Sequence, residues 1–233
     1  FTAAVALGGP HRPVSFTVPT GNFGDILAGW IAKKMGLPIG RLAIAANSND
    51  ILARTLASGE YRIAGVHATQ SPSMDIQVSS NFERLLFEAY DRDAAAVRGL
   101  MAGLTQSGGF AIASGPLEKI RAEFDAGACG EAETQAEIRR TWERFGYVLD
   151  PHTAVAVHVA RAQAARRPDI PMVALSTAHP AKFPDAVSKA TGRKPELPAH
   201  LADLFERPER FTVLPNDIAA VEAFVRRHAR AGR

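Results

Sequence analysis

Thr20-Gly21-Asn22-Phe23-Gly24-Asp25 is the segment whose residue types and spacing could most directly do chemistry. It stands between an alternating, β-branched run, Val14-Ser15-Phe16-Thr17-Val18, and an apolar helix-like run that begins at Asp25. Glycines at such a junction let the backbone approach a ligand closely, and the first amides of the following helix have no partner within it. With the helix dipole behind them, those amides form an anion site suited to a phosphate. No lysine follows the second glycine, so the segment is not a nucleotide P-loop. Gly-x-x-Gly is also not the dinucleotide spacing Gly-x-Gly-x-x-Gly. Other reactive residue types carry less. His152 and His158 are six apart and do not share a helix face; with no completed ligand set they read as structural. Cys129 sits in a Gly-rich, acidic neighbourhood without a nearby histidine and reads as an unreactive thiol.

The elements that must position the loop follow a mixed α/β order. The strand at 14–18, the turn, a helix from Asp25 with Ile26, Leu27, Trp30, Ile31 and Met35 on one face, and a buried strand at 42–46 make a β-loop-α-β unit. A parallel pair with a right-handed helical crossover is its expected form. Gly36 and Pro38 end the helix. Further on, helices are expected over 50–57, from a capping box at Ser80-Asn81-Phe82-Glu83, and over 94–104, 116–125, 131–145 and 151–166. The last of these has Asp150 as cap and Pro151 in its first turn. Strands are expected at 61–66, 172–175 and 211–214, with a closing helix over 216–228. No repeat or linker divides the chain, so 1–233 reads as one α/β domain, a mostly parallel sheet flanked by helices.

Composition excludes several alternatives. The 233 residues are 46% hydrophobic and 22% charged, an ordinary globular mixture, and long enough to bury a core without metal or disulfide staples. One cysteine rules out an internal disulfide framework and fits a reducing, cytoplasmic setting. The longest uncharged run, Gly99 to Leu117, carries five glycines, Gln106, Ser107 and Pro116, and is no bilayer span, so no membrane association is expected. The net charge of +3 comes from arginines interleaved with acids rather than from a basic block, which does not recommend nucleic acid as a partner. The start at Phe1, directly in an uncapped helix-like segment, suggests a chain that begins inside something longer.

Val18-Pro19-Thr20-Gly21-Asn22-Phe23-Gly24-Asp25-Ile26-Leu27-Ala28-Gly29 resembles the phosphate-cradling segment of threonine synthases, pyridoxal-phosphate enzymes of fold type II. The similarity continues through 46–52 and is strongest in Ser71-Pro72-Ser73-Met74-Asp75-Ile76-Gln77-Val78-Ser79-Ser80-Asn81-Phe82-Glu83-Arg84. It returns at Asp150-Pro151-His152-Thr153-Ala154 and at Thr177-Ala178-His179-Pro180-Ala181-Lys182-Phe183. The resemblance implies a fold like the large cofactor-binding domain of that class. It implies pyridoxal 5′-phosphate as cofactor, with Gly21, Asn22, Phe23, Gly24 and Asp25 around its phosphate and Asp25 capping the helix. Thr177 would be a neutral hydroxyl partner for the pyridine nitrogen, and Asn81 and Arg84 would face the substrate. The implied reaction is conversion of O-phospho-L-homoserine and water to L-threonine and phosphate, the last step of threonine biosynthesis.

One part of the pattern has no counterpart. The Schiff-base lysine of such enzymes lies in a Phe-Lys-Asp context well before the phosphate loop. The lysines here are Lys33, Lys34, Lys119, Lys182, Lys189 and Lys194, none in that setting. The expectation is therefore the C-terminal, cofactor-binding part of a threonine synthase without the amino-terminal half that bears the lysine, inactive alone. Two other readings stand beside it. One is a catalytically dead relative that binds phosphorylated small molecules. The other is a KH-like RNA-binding module, since Gly21-Asn22-Phe23-Gly24 fits that Gly-x-x-Gly loop; but a KH loop joins two helices, and here a strand precedes it.

Overall fold

The computed structural model describes residues 1–230 and divides into two units, Phe1–Glu196 and Leu197–Arg233. In the first unit the elements are α1 (Thr2–Ala6), β1 (Val14–Pro19), α2 (Gly24–Lys34), β2 (Ile39–Ala46), α3 (Ile51–Ser58) and β3 (Glu60–Arg62). They continue as α4 (Phe82–Ala89), α5 (Ala94–Ser107), β4 (Gly109–Ala111), α6 (Ser114–Glu123), β5 (Phe124–Ala128), α7 (Glu131–Phe145), α8 (Pro151–Arg166), β6 (Met172–Ala174) and α9 (Pro184–Thr191). The second unit holds α10 (Ile218–His228) and two short 3-10 turns. The sequence shows no boundary at Glu196, but Pro195 and Pro198 flank it, and the described residues beyond bury no large apolar side chain.

Four strands form a wholly parallel sheet in the order β5-β2-β1-β6. β1 is central, with Val18 opposite Ile44 of β2 and Thr17 opposite Ala174 of β6. β1 is buried along almost its whole length, as expected of a parallel strand covered on both faces. One face presents Val14, Phe16, Val18, Leu42, Ile44 and Phe124 to α2, α3, α4 and α6, and carries the larger core. The other face carries small residues, Ala43, Ala45 and Gly127, under α8. A Cβ on Gly127 would stand 3.0 Å from Val159 Cγ1, so the missing side chain sets how closely α8 lies on the sheet. Asp150 caps α8 by accepting from the amides of His152 and Thr153, as its sequence position predicts.

Several expectations are corrected. The expected helix over 116–125 ends at Glu123, and Phe124–Ala128 turns into edge strand β5. Arg41 of β2 fixes that turn, donating to the carbonyls of Arg121, Ala122 and Phe124 and to the Asp125 carboxylate at 2.8 Å. The strand expected at 61–66 stops at Arg62, beyond which the Ala64 amide donates to the Gln77 side chain instead. Phe211–Leu214 forms no strand; Phe211 and Val213 are 74% and 81% exposed, and among the described residues of that unit there is no strand to pair with them. On α2, Ile26 and Leu27 are buried, but Ile31 and Met35 are not. The capping box at 80–83 is not formed: Asn81 occupies the cap position of α4 and directs its side chain elsewhere. Asp25 does not cap α2 either, because Phe23 stands at the cap and Asp25 falls inside the first turn.

The Arg41–Asp125–Arg167 cluster gives the edge strand a measurable pH signature. Burial alone would raise the Asp125 carboxyl, but hydrogen bonds and charge from Arg41 and Arg167 outweigh it and hold the group below the ordinary carboxylate range. A carboxyl depressed in the folded state stabilises the fold above its unfolded value of about 3.9 and loses that contribution as the pH falls through the folded value. Asp125→Asn is therefore expected to lower stability at pH 7 by about 2 kcal/mol and to flatten the acid limb of the stability curve. Urea melts between pH 2 and pH 7 check this; parallel acid limbs for the two proteins would refute the clamp. In the same melts, Gly127→Val should cost about 1–3 kcal/mol by overpacking against Val159, and adding Val159→Ala should restore part of it.

Candidate functional site

The loop between β1 and α2 leaves the C-terminal edge of the parallel sheet, where ligands of open α/β sheets bind. Phe23 sets its course. Its backbone is left-handed, φ 65° and ψ 9°, a conformation that L side chains adopt rarely. Its ring is 1% exposed and packs edge-on against Phe82 at 5.4 Å and against Phe124 at 5.7 Å. The ring is held in the core while Asn22, Gly24 and Asp25 on either side of it stay exposed. Thr20 N–H still donates to the Ala45 carbonyl, and Leu27 N–H to the Phe23 carbonyl. Between them, the amides of residues 21–26 have no protein acceptor among the described residues.

The loop's carbonyls are held from the other side. Ser79 Oγ donates to the Gly21 carbonyl at 2.8 Å, and Asn81 donates to the Asn22 carbonyl with both its N–H, at 3.0 Å, and Nδ2, at 2.8 Å. Gly21 lies against the 71–75 turn so closely that a Cβ would stand 2.7 Å from the Ser73 carbonyl oxygen, so glycine is required there by contact. Gly24 has room, the nearest atom to its Cβ position being Asn81 Nδ2 at 3.9 Å. Tyr61, stacked between Phe82 and Phe110, accepts the Ser79 amide at 2.8 Å; burial pushes its phenol up against the lowering effect of that bond. The 71–81 wall is thus a built surface. Ser73 and Ser79 were not singled out from sequence, although both fall in the segment of strongest resemblance.

The other sequence-derived candidates separate in space. Thr177 lies three residues past Ala174, and Thr20 three residues past its partner Thr17, so both leave the same edge of the sheet side by side. Thr177 is exposed, and its hydroxyl has no hydrogen-bond partner among the described residues. Asn81 acts on the loop itself, with its amide donor engaged by Asn22. Arg84 lines a groove of about 650 Å³ together with Trp30, Phe87, Met101, Glu83 and Glu88, and forms no ion pair among the described residues. Asp25 is exposed without a hydrogen bond. Of the lysines, Lys33 and Lys34 pair with Glu123 and Lys119 with Asp91. Next to the loop, Asp75 accepts from Asn47 at 2.7 Å, from Asn49 at 3.0 Å and from Thr69, a satisfied network that holds the end of β2 to the 69–75 segment.

The remaining polar groups offer no competing centre. No cluster of metal-ligating side chains exists among the described residues. Cys129 is buried, and burial, reinforced by nearby glutamates, pushes its thiol up to about 11, as an unreactive cysteine requires. The Gly21–Gly24 loop joins a strand to a helix, which removes the KH reading. No helix among the described residues is long and apolar enough to cross a membrane.

What this geometry belongs to is answered by its relatives. Residues 153–225 match the family model described as "Threonine synthase, C-terminal". The whole chain aligns with half of a threonine synthase from Pseudomonas aeruginosa at 50% identity, and 92% of it with 46% of the Corynebacterium glutamicum enzyme at 44% identity. The fold superposes on a pyridoxal-phosphate-bound threonine synthase from Brucella melitensis with a TM-score of 0.90 and 62% identity, over 98% of this chain and 49% of that one. On the yeast threonine synthase the TM-score is 0.80 at 38% identity, over 94% and 48%. The chain spans about half the length of the relatives it matches, and over that span it belongs to the threonine synthase family.

Proposed function

We propose that this chain holds the phosphate end of pyridoxal 5′-phosphate and forms the C-terminal, cofactor-binding part of an enzyme that converts O-phospho-L-homoserine and water to L-threonine and phosphate. The observation that carries the reading is the run of six amides at 21–26, at the mouth of α2, none of which has a protein acceptor among the described residues. The cofactor's phosphate fits that set: its oxygens accept several hydrogen bonds at once, and the α2 dipole favours negative charge there. Gly21 admits no side chain and Gly24 exposes its backbone, as close approach of a ligand demands.

When bound, the cofactor supplies an electron sink for proton removal at the substrate's Cα. The residues of this chain bind and orient. Residues 21–26 fix the phosphate, Phe23 anchors the loop in the core, and Ser79 and Asn81 keep its carbonyls turned away from the anion. Thr177, on the adjacent strand end, offers a neutral hydroxyl to the ring nitrogen. It does not compel protonation there as a carboxylate would, and so moderates the sink. Arg84 is the candidate cation for the substrate's own phosphate. The proton-transferring lysine comes from a part of the protein outside these 233 residues, since none of the six lysines has the required setting. A cytoplasmic location goes with this role and with the single buried thiol.

Two outcomes test the reading. Pyridoxal 5′-phosphate should bind this chain reversibly, and Gly24→Asp, which the fold accommodates, should weaken binding by more than about tenfold by placing a carboxylate at the seat. Equal affinity in calorimetric titrations of both proteins would sink the assignment. Borohydride reduction of the chain with cofactor should leave no single lysine stoichiometrically labelled; one such peptide in a mass-spectrometric digest would overturn the claim that the lysine lies elsewhere.

A further inference from the structure

His152 is 3% exposed on the first turn of α8, and the binding reading above gives it no task. A buried imidazole is tolerated only when its nitrogens are engaged. Here both are. Nδ1 lies 3.0 Å from Asp150 Oδ1, and Nε2 lies 3.3 Å from the backbone nitrogen of Ser73. An amide can only donate, so Nε2 accepts and the proton sits on Nδ1, facing the carboxylate. The ring also packs on Phe183 at 4.7 Å between centroids.

The bond to Ser73 is not needed by α8. That helix is capped by Asp150 through the backbone amides of residues 152 and 153, with no contribution from the imidazole. What the bond does is reach across 79 residues of chain to hold the amide of Ser73, whose own carbonyl, in the following peptide, is the one that Gly21 rests against. The Ser73 carbonyl occupies the space of a Gly21 side chain, so the position of that peptide fixes the near end of the run of free amides. The carbonyls of Gly21 and Asn22 are held independently by Ser79 and Asn81.

We propose that His152 is a positioning residue for the phosphate seat: through its Nε2 it holds Ser73, and through Ser73 it sets Gly21 and the first of the six amides. The role rests on the reading of residues 21–26 as a phosphate seat and adds a residue that does not touch the ligand. Neighbouring Thr153 Oγ1, which donates to the Asp150 carboxylate, lies 3.3 Å from Ser176 Oγ, so the same helical turn also touches the segment leading to Thr177.

The test compares the affinity of the chain for pyridoxal 5′-phosphate with that for unphosphorylated pyridoxal, alongside thermal melts. His152→Asn keeps a donor towards Asp150 but no longer reaches Ser73; His152→Gln places an acceptor near the Nε2 position. His152→Asn is expected to lose about tenfold in affinity for the phosphorylated form, one hydrogen bond's worth of order, with pyridoxal affinity unchanged. His152→Gln should restore most of it. Unaltered phosphate selectivity in a folded His152→Asn protein overturns the role, as does an equal loss for both ligands, which would mark a merely structural residue. If the asparagine variant does not fold, a folded His152→Gln protein that has lost selectivity overturns it equally. An unsubstituted chain with no preference for the phosphorylated form sinks the seat itself, and this role with it, and is told apart by needing no variant.

Discussion

The junction between β1 and α2 turns on the backbone of Phe23, where two tendencies oppose each other. A left-handed conformation at a bulky residue costs about 1–3 kcal/mol. Burying a phenylalanine ring returns about 1.5–3 kcal/mol, and each aromatic contact adds about 0.5–1.5 kcal/mol. The contacts to Phe82 and Phe124 therefore tip the balance towards the strained backbone. Relieving the strain would require lifting the ring out of the core. The residue that buries its ring in the core also stands at the head of α2, within the run of amides that have no protein acceptor among the described residues, so core packing and the course of the loop are two sides of one residue.

Everything around the loop follows from a parallel sheet. Parallel strands send all their C-terminal ends to one edge, and here that edge gathers the 20–24 loop, the Asn47–Asn49 turn and the chain approaching Thr177. β1 is central because β2 lies on one side and β6 on the other, which opens the crevice at the head of α2. α8 then has to cover the opposite face of all four strands, and it does so closely because Ala43, Ala45 and Gly127 offer little bulk. Its first turn is thereby brought under the 71–75 turn, where the imidazole of His152 meets Ser73.

The parts of this arrangement that were legible in the sequence are those decided locally. The β1-turn-α2-β2 unit announces itself by β-branched alternation, a Gly-rich break and helical periodicity, and Asp150-Pro151 marks the start of α8. β5 was hidden for a physical reason. Phe124-Asp125-Ala126-Gly127-Ala128 has no β-branched residue, because its outer face must admit α8 and its charge must meet Arg41. Phe211–Leu214 shows the converse, a β-prone run left exposed for want of a partner strand. The contacts that shape the site were invisible for another reason: Asn81 reaches Asn22 across 59 residues and His152 reaches Ser73 across 79. Local pattern names the residues; only the fold says whom they touch.

That distinction matters most at the loop, because its donors are neutral. A lysine or arginine attracts an anion over several ångströms and tolerates misplacement, whereas a backbone amide contributes only when it points at the oxygen. Asp25, one position into the helix, adds negative charge in the same turn and leaves still less to long-range attraction. Six amides therefore act as a seat only if their directions are fixed before the ligand arrives. Phe23 fixes them from beneath, Ser79 and Asn81 by holding the carbonyls, and Ser73 by contact with Gly21. The polar wall at 71–81, with the histidine behind it, orders a loop that carries no cation of its own.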